Sequence, residues 1–236
     1  MREPAKSFDR AAREYERGRP GWPVGVLDVV PVPESATVLD LGAGTGKLTR
    51  VLVERYARVV VEPLSALREI LADRVPAAEV LDGAAEEIPL GDASVDAVFV
   101  AQAFHWFANH AAVEIGRVLH PGGVLTILWN EPSEDLPSPL PPAYRRRLEE
   151  LQSDTPPPPA DPHEFIAGGP FGDVQSAVVE HEQVSDRDDG LAFAASVSWV
   201  ASRDDRERVL AELADLLPPG EYRFPMCAHV RWATRR

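Results

Sequence analysis

The chain has 236 residues, of which 44% are hydrophobic and 26% charged, and its formal net charge is -14. This composition is that of an ordinary globular protein, and the length suffices for one α/β domain with a sizeable core. The acidic balance argues against a large nucleic-acid interface, since phosphate contacts need a basic face. We therefore expect no nucleic-acid partner, although a local basic patch stays an open alternative.

Cysteine content and hydropathy predict the compartment. The single cysteine, Cys227, excludes an internal disulfide and a cysteine-based zinc cluster, which fits a reducing cytoplasm. The N-terminus is too charged for a signal peptide, and no run of ~18 apolar residues is present. We expect a cytoplasmic protein that uses no metal and does not enter a membrane.

The N-terminal region is predicted to contain two helices. The first covers residues 7 to 17, with Ser7 as its N-cap and Gly18 as its end. Its apolar side chains share one face at helical spacing: Phe8, Ala11, Ala12 and Tyr15. The second covers residues 24 to 30 and ends at the prolines that follow.

A glycine-dense turn comes next. Residues 38 to 41 read VLDL, which suits a buried strand, and a helical pattern runs from the turn to Arg55. Gly42, Gly44 and Gly46 remove three β-carbons, which permits positive φ and a close approach of the backbone to a ligand. A strand, a ligand turn and a helix N-terminus form the first unit of a nucleotide-type α/β fold.

The spacing of the glycines narrows the choice of ligand. A phosphate-binding P-loop fails because Leu41 and Leu48 stand where glycine and a hydroxyl residue are needed. The dinucleotide fingerprint fails because Lys47 replaces its third glycine. The string VLDLGAGTG resembles the S-adenosylmethionine-dependent methyltransferases of the Rossmann-like class, although an ordinary turn is the alternative. The resemblance implies S-adenosylmethionine as cofactor, S-adenosylhomocysteine as product, and a cofactor site that includes Asp40 and the three glycines.

The second predicted strand, residues 57 to 61, ends in Glu62 and Pro63. Glu62 follows Gly42 by 20 residues, where such folds place an acidic residue at a strand end. A carboxylate there can accept hydrogen bonds from both ribose hydroxyls. The alternative is a surface glutamate, but its position relative to the glycines favours the ligand, with Pro63 beside it.

A third strand, residues 78 to 81, precedes the string DGAAEEIPL. This string resembles the family segment whose backbone contacts the adenine ring, which implies roles for Ala85 and Glu86. Many members have an acidic residue after the glycine, but this chain has Ala84, so Asp82 or Glu86 would have to replace it. The fourth strand is predicted over residues 97 to 100.

The fourth strand leads into the string AQAFHWF, residues 101 to 107. Ligands of open α/β sheets bind at the carboxyl ends of strands, so this segment is expected to form the pocket floor. Gln102 is best placed to contact the cofactor. His105 could act as a general base toward a hydroxyl, or it could hold the loop through a backbone hydrogen bond, which is the favoured interpretation.

The N-terminal string FDRAAREYERGRPGWP also resembles one subgroup of this family, the trans-aconitate-methyltransferase-like proteins. That likeness implies a lid, residues 1 to 23, in which Tyr15 and Arg19 close over the methionine end of the cofactor and Arg19 faces its carboxylate. The alternative is a docking helix with a solvent-exposed arginine.

The rest of the chain is less specific. A helix over residues 109 to 119, a reversal at 120 to 123 and a fifth strand at 124 to 129 are predicted, and Asn130 either faces the substrate or, as favoured, caps the turn. Ten of the 23 prolines fall between Pro132 and Pro162, including the run at 156 to 159, so residues 131 to 170 are expected to form an inserted lid with one helix at 144 to 152.

Basic and aromatic side chains in this region have two interpretations. Arg145, Arg146 and Arg147 would either attract an anionic substrate or, as favoured, form a solvated face. Strands at 171 to 184 and 222 to 233 would close the sheet as an antiparallel pair, with helices at 191 to 200 and 204 to 217 between them. Trp199 would line the pocket or belong to the core.

These features predict one domain over residues 1 to 236: a seven-stranded α/β methyltransferase sheet with helices on both faces and a lid. The predicted function is in-line methyl transfer from S-adenosylmethionine to an oxygen, as carboxylate or hydroxyl, or a nitrogen of a small molecule. Two alternatives stay open, a binding protein without turnover and a nicotinamide-dependent oxidoreductase. The second is disfavoured by Lys47 and by the segment around Ala85.

Overall fold

The computed structural model of the protein describes residues 11–108, 110–153 and 161–236. In these ranges seven strands form one sheet, in the order β3-β2-β1-β4-β5-β7-β6. The strands are β1 (Thr37–Leu41), β2 (Ala57–Val61), β3 (Glu79–Leu81), β4 (Val95–Ala101), β5 (Leu119–Pro132), β6 (Gln175–Asp186) and β7 (Glu221–Thr234). Strands β1 to β5 are parallel, and β7 is antiparallel to both β5 and β6. The α/β class and the antiparallel closing strands are confirmed.

Helices connect the strands and cover the sheet. They are α1 (Ala12–Gly18), α2 (Thr49–Leu52), α3 (Ser65–Arg74), α4 (Ala111–Val118), α5 (Pro142–Ser153), α6 (Pro162–Ala167), α7 (Arg187–Ser196), α8 (Ser198–Ala201) and α9 (Arg206–Leu216). No helix in the described ranges combines the length and the apolar character needed to cross a bilayer.

The central strands are buried on both faces. Leu39 and Leu41 of β1 pack in one apolar cluster with Ile115 of α4. Val38 belongs to a second cluster that includes Leu52 of α2. Because alternate residues of a strand point to opposite faces, these two clusters are the layers on either side of the sheet. The strand order changes direction between β1 and β4, and a crevice opens at the carboxyl ends of the strands at such a point.

A third apolar cluster lies in the part of the chain that follows β5. It joins α5, α7, α8 and α9 through Tyr144, Ala194, Val200, Val209 and Leu213. Arg147 of α5 also donates to a carboxylate oxygen of Glu212 in α9 at 2.9 Å. These helices therefore form a layer of their own.

Several predicted boundaries were wrong. The helix predicted over residues 191 to 200 is divided, because Val197 has extended backbone angles between α7 and α8. Helix α7 begins earlier than predicted, since Asp186 and Asp189 form a capping box at its start. Residues 24 to 30 form only a short 3-10 helix, Val24–Leu27. The helix predicted over 46 to 55 contains the four-residue α2 between turns.

The structure differs from the prediction at two further places, one through strand pairing and one through helix capping. Strand β5 includes the predicted reversal, because Gly122 N–H donates to the carbonyl of Arg235 near the end of the chain. Asp161 caps α6 by accepting from the N–H of His163, and the fixed φ of Pro162 suits the first helical turn. The predictions for Ser7, Phe8, Asn109 and residues 156 to 159 lie outside the described residues.

Candidate active site

The glycine turn after β1 has the geometry that its sequence predicts. The φ angles of Gly42, Gly44 and Gly46 are 71°, 60° and 83°, in the left-handed region that favours glycine. Gly42 N–H donates to the carbonyl of Val61 at 2.9 Å, which ties the turn to the end of β2. The turn and the end of β2 therefore form one unit.

The three glycines face different neighbours. A β-carbon at Gly42 would lie 2.9 Å from that of Ala103, and one at Gly44 would lie 3.5 Å from the ring of Tyr15. A β-carbon at Gly46 would instead lie 3.1 Å from Leu71 of α3. The first two glycines border the cavity described below, whereas Gly46 permits helix packing and does not line it.

Glu62 fixes the turn with its carboxylate. The side chain is 4% exposed, and one oxygen accepts the N–H of Gly44 at 2.8 Å. The other oxygen accepts the N–H of Leu64 at 2.9 Å. Glu62 therefore lies at the end of β2, as predicted, and in contact with the glycine turn.

Asp40 lies beneath the turn rather than in the cavity. It is fully buried, and its carboxylate accepts a hydrogen bond of 2.6 Å from the hydroxyl of Thr49. Burial, helped by the nearby charge of Glu62, raises the pKa of Asp40 to about 7 against the opposing effect of this hydrogen bond. Asp40 is thus positioned to support the turn from below, and its predicted part in the cofactor site stays a prediction.

A cavity of about 860 Å³ lies at the carboxyl ends of the strands. The volume is near the upper end of the roughly 300–1,000 Å³ typical of ligand pockets. Ten of the twelve predicted site residues line it, and Asp40 and Gly46 do not. The ten are Tyr15, Arg19, Gly42, Gly44, Glu62, Pro63, Ala85, Glu86, Gln102 and His105.

In the segment after β3, Glu86 lies at the cavity and Asp82 does not. Glu86 lines the cavity, and one of its carboxylate oxygens accepts the N–H of Ala108 at 2.9 Å. Asp82 makes two hydrogen bonds of 2.9 Å with the guanidinium of Arg68 and is absent from the cavity lining. Of the two residues predicted to replace an acidic residue at Ala84, only Glu86 is therefore at the cavity.

Gln102 and Asn130 connect three parts of the chain. Gln102 has a φ of 55°, uncommon for a residue other than glycine, and its amide donates to the carbonyl of Asn130 at 2.6 Å. The Asn130 amide donates to the carbonyl of Gly21 at 2.9 Å, and its oxygen lies 2.9 Å from Nε2 of His181. The turn-capping role favoured for Asn130 was wrong, because its partners are remote segments and β5 continues to Pro132.

Aromatic rings surround His105, which lies in a 3-10 turn, Phe104–Trp106. Its ring centroid is 4.6 Å from that of Trp106 and 5.1 Å from that of Trp129. Phe104 also packs edge-on against Trp129, with 5.8 Å between centroids. These contacts fix the imidazole at the cavity wall.

In the N-terminal segment, Arg19 lines the cavity. Its guanidinium carbon lies 5.2 Å from the ring centroids of both Tyr15 and Phe193. Nε donates to the hydroxyl of Ser196 at 3.0 Å, and Nη2 donates to the carbonyl of the same residue at 3.2 Å. Burial lowers the pKa of Arg19 and raises that of Tyr15. Arg19 is thus held between α1 and α7, and it is not the solvent-exposed residue of the alternative interpretation.

The sequence did not predict most of the wall that follows β5. That wall includes Leu140, Tyr144 and Leu148 from α5 and the residues before it, Phe193 from α7, and Phe224 and Met226 from β7. Trp199, for which the sequence predicted either a pocket or a core position, also lines the cavity. Of the three consecutive arginines, only Arg145 is in the lining. In the described residues no cluster of three His, Cys, Asp or Glu side chains has the geometry of a metal site.

Comparison with known proteins supports a common origin for this site. Residues 39–127 match the family model described as a methyltransferase domain. An uncharacterized methyltransferase of Mycobacterium tuberculosis H37Rv is 49% identical over 137 residues, which are 57% of this chain. The matched region spans only 56% of that relative, so the chain aligns with about half the length of such relatives.

Two other similarities extend over more of the chain. The trans-aconitate 2-methyltransferase of Azoarcus sp. BH72 is 31% identical over 183 residues, covering 74% of this chain and 70% of the relative. A solved structure from Anaeromyxobacter dehalogenans, provisionally described as a type II methyltransferase, is 26% identical with a TM-score of 0.66, covering 92% and 97% of the two chains. With the glycine turn, Glu62 and the strand order, these matches show that the chain belongs to the S-adenosylmethionine-dependent methyltransferase family.

Proposed function

We propose that this protein transfers a methyl group from S-adenosylmethionine to an oxygen or nitrogen atom of a small molecule. The observation that carries the proposal is the joint position of the Gly42–Gly44 backbone and the Glu62 carboxylate on the wall of one cavity. A bare backbone permits the close approach of a bulky ligand, and a carboxylate can receive its hydroxyl groups.

The residues on this wall fit an adenosine. A carboxylate has about four acceptor positions, so Glu62 can serve ribose hydroxyls as well as the backbone N–H groups of Gly44 and Leu64. Ala85 and Glu86 offer backbone groups for the adenine edge. The apolar side chains of Pro63 and Leu64 offer a surface for the ring face.

The methionine end of the cofactor would lie toward α1. There Arg19 offers the cationic partner for a carboxylate, and Tyr15 covers Gly44. Gly18 permits this arrangement, since a β-carbon there would lie 2.0 Å from the backbone nitrogen of Phe193 in α7. We infer that α1 and the residues after it act as a lid that α7 holds in the closed position.

Catalysis then depends on position and on the exclusion of water. The cofactor supplies a sulfonium methyl group, to which the acceptor's lone pair bonds while the carbon–sulfur electron pair stays on sulfur. The aromatic rings around His105 exclude water from the position of methyl transfer. The His105 imidazole can take the proton that a hydroxyl acceptor loses. A carboxylate acceptor has no proton to lose, and His105 would then only shape the wall.

Ligand binding tests the proposal directly. Isothermal titration of the protein with S-adenosylhomocysteine should give saturable binding, and NAD should give none. Glu62→Ala should weaken this binding at least tenfold, because hydrogen bonds to a charged group are each worth about 1.5–3 kcal/mol. Glu87→Ala, a change at an exposed glutamate, is the matched control and should bind normally.

The outcomes separate the alternatives. Binding of NAD without S-adenosylhomocysteine would overturn the proposal. Equal binding by the Glu62→Ala and Glu87→Ala variants, both melting at the wild-type temperature, would place the adenosine elsewhere. Release of S-adenosylhomocysteine during an acceptor screen distinguishes an enzyme from a binding protein without turnover.

A further inference from the structure

The wall of the cavity that follows residue 128, called here the covering wall, is largely apolar and aromatic. Six side chains define it: Trp129, Leu140, Leu148, Trp199, Phe224 and Met226. Trp22 and Trp106 line the cavity as well, so four of the five tryptophans of the chain are at this one site. Tryptophan offers a large rigid surface, which favours flat or extended apolar ligands.

The covering wall provides little positive charge. Arg145 is the one lysine or arginine among the described residues that form it, and its exposed guanidinium lies 3.6 Å from the carboxylate of Glu149. Glu131 and Asp189 add two further carboxylates to the wall. The acidic side chains thus outnumber the basic one.

The opposite wall carries two cations, Arg19 and Lys47. Arg19 donates to Ser196 and stacks between two rings, and it is the proposed partner of the cofactor carboxylate. Burial disfavours the charged form of Lys47 and lowers its pKa, although the charge of Glu16 opposes this effect. A ligand with several carboxylates would lose its hydration here without gaining the paired cations that such burial requires.

We propose that the methyl acceptor is a molecule with an uncharged apolar body, such as a ring system or alkyl chain, and that polycarboxylates are excluded. This inference rests on the proposed function and adds the substrate class. The apolar body packs on the covering wall between Trp129 and Trp199, and one polar atom of the acceptor faces the cofactor beside His105. The chain would therefore differ in substrate from its relative named for trans-aconitate.

Binding of two probes to the full chain saturated with S-adenosylhomocysteine tests this inference. 2-Naphthol represents the apolar body, and trans-aconitate represents the polycarboxylates. Isothermal titration should give a Kd for 2-naphthol at least tenfold lower than that for trans-aconitate. Tighter binding of trans-aconitate, or no saturable binding of 2-naphthol, would overturn the inference.

A substitution on the covering wall then locates the binding. Leu148→Glu should raise the Kd of 2-naphthol about tenfold or more, because the ligand loses an apolar contact and meets a carboxylate. Leu136→Glu makes the same change at a leucine that is 54% exposed and outside the cavity lining, and it should leave the Kd unchanged. Equal effects of the two substitutions would contradict the assignment.

Two controls keep the results interpretable. If Leu148→Glu lowers the melting temperature, Leu148→Gln, which has a similar size and no charge, replaces it and should still weaken 2-naphthol binding. The Kd of S-adenosylhomocysteine is measured for each variant. If the wild-type protein does not bind S-adenosylhomocysteine, the proposed function is refuted. If it binds S-adenosylhomocysteine but prefers trans-aconitate to 2-naphthol, only the substrate class is refuted.

Discussion

The contact between α1 and α7 gives a sharp prediction, because two nearby glycines differ in their surroundings. A β-carbon at Gly18 would lie 2.0 Å from the nitrogen of Phe193 and 2.4 Å from the carbonyl carbon of Ala192. Both atoms belong to the backbone of α7, so the contact cannot be relieved by a side-chain rotation. Among the described residues other than its two chain neighbours, a β-carbon at Gly21 would meet no atom within 4 Å. Gly18→Ala and Gly21→Ala are therefore the same chemical change in opposite environments.

Gly18→Ala should lower the stability of the protein, and Gly21→Ala should not. Overpacking costs about 1–3 kcal/mol, which for a chain of this size lowers the melting temperature by about 2 to 12 °C. Gly21→Ala should be neutral or stabilise by up to about 1 kcal/mol, since alanine reduces the entropy of the unfolded chain. Displacement of α1 by Gly18→Ala should also separate Arg19 from Ser196 and weaken the binding of S-adenosylhomocysteine.

Thermal unfolding and isothermal titration of both variants measure these effects. The expected result is a lower melting temperature and a Kd raised at least threefold for Gly18→Ala alone. If both variants melt and bind alike, α1 does not rest on α7 as described. If Gly18→Ala is destabilised but binds S-adenosylhomocysteine normally, the packing is right and the lid role of α1 is wrong.

Three further predictions follow from the site. Asp40 has a folded-state pKa raised to about 7, so the stability that its protonated form provides is complete below about pH 4 and is lost as pH rises to 7, by at most about 4 kcal/mol. Asp40→Asn should flatten this part of the stability curve in urea titrations from pH 4 to 8. His105→Ala should lower kcat about a hundredfold for a hydroxyl acceptor and leave it unchanged for a carboxylate acceptor. Asn130→Ala should reduce the free energy of unfolding by about 1–3 kcal/mol, because Gly21 and His181 lose their partner.

For each of these three predictions, one result would contradict the reasoning. An unchanged pH dependence in Asp40→Asn would show that the carboxyl group is ionised when buried. A reduced kcat with a carboxylate acceptor would show that His105 does more than accept a proton. Wild-type stability of Asn130→Ala in urea would show that its hydrogen bonds contribute nothing net to folding.

The parts of the site that the sequence predicted are segments that directly follow a strand in the chain. The glycine turn, the position of Glu62 and the aromatic segment at His105 each follow a strand directly, and a parallel sheet brings such segments to one edge. Asp40 is adjacent to the glycines in sequence, but it does not line the cavity. In the folded strand its side chain points to Thr49 beneath the turn, and sequence proximity does not reveal this direction.

The rest of the site depends on contacts between distant segments. Arg19 and Ser196 are 177 residues apart, and Asn130 and Gly21 are 109 apart. No spacing rule connects such pairs, because their meeting depends on how α1 and α7 pack over the completed sheet. The division of α7 from α8 was missed for a similar reason, since Val197 can continue a helix by its local preference.

The bonds from Arg19 to Ser196 and from Arg17 to Asp189 also bear on the order in which the protein is made. During synthesis on the ribosome, the strands β1 to β5 emerge before α7 exists. A nascent chain at that stage has its glycine turn and the Asn130 partner of Gly21, but it lacks the α7 partners of Arg17 and Arg19. The joining of α1 to α7 is therefore a late event of biosynthesis, completed only after residue 196 has left the exit tunnel.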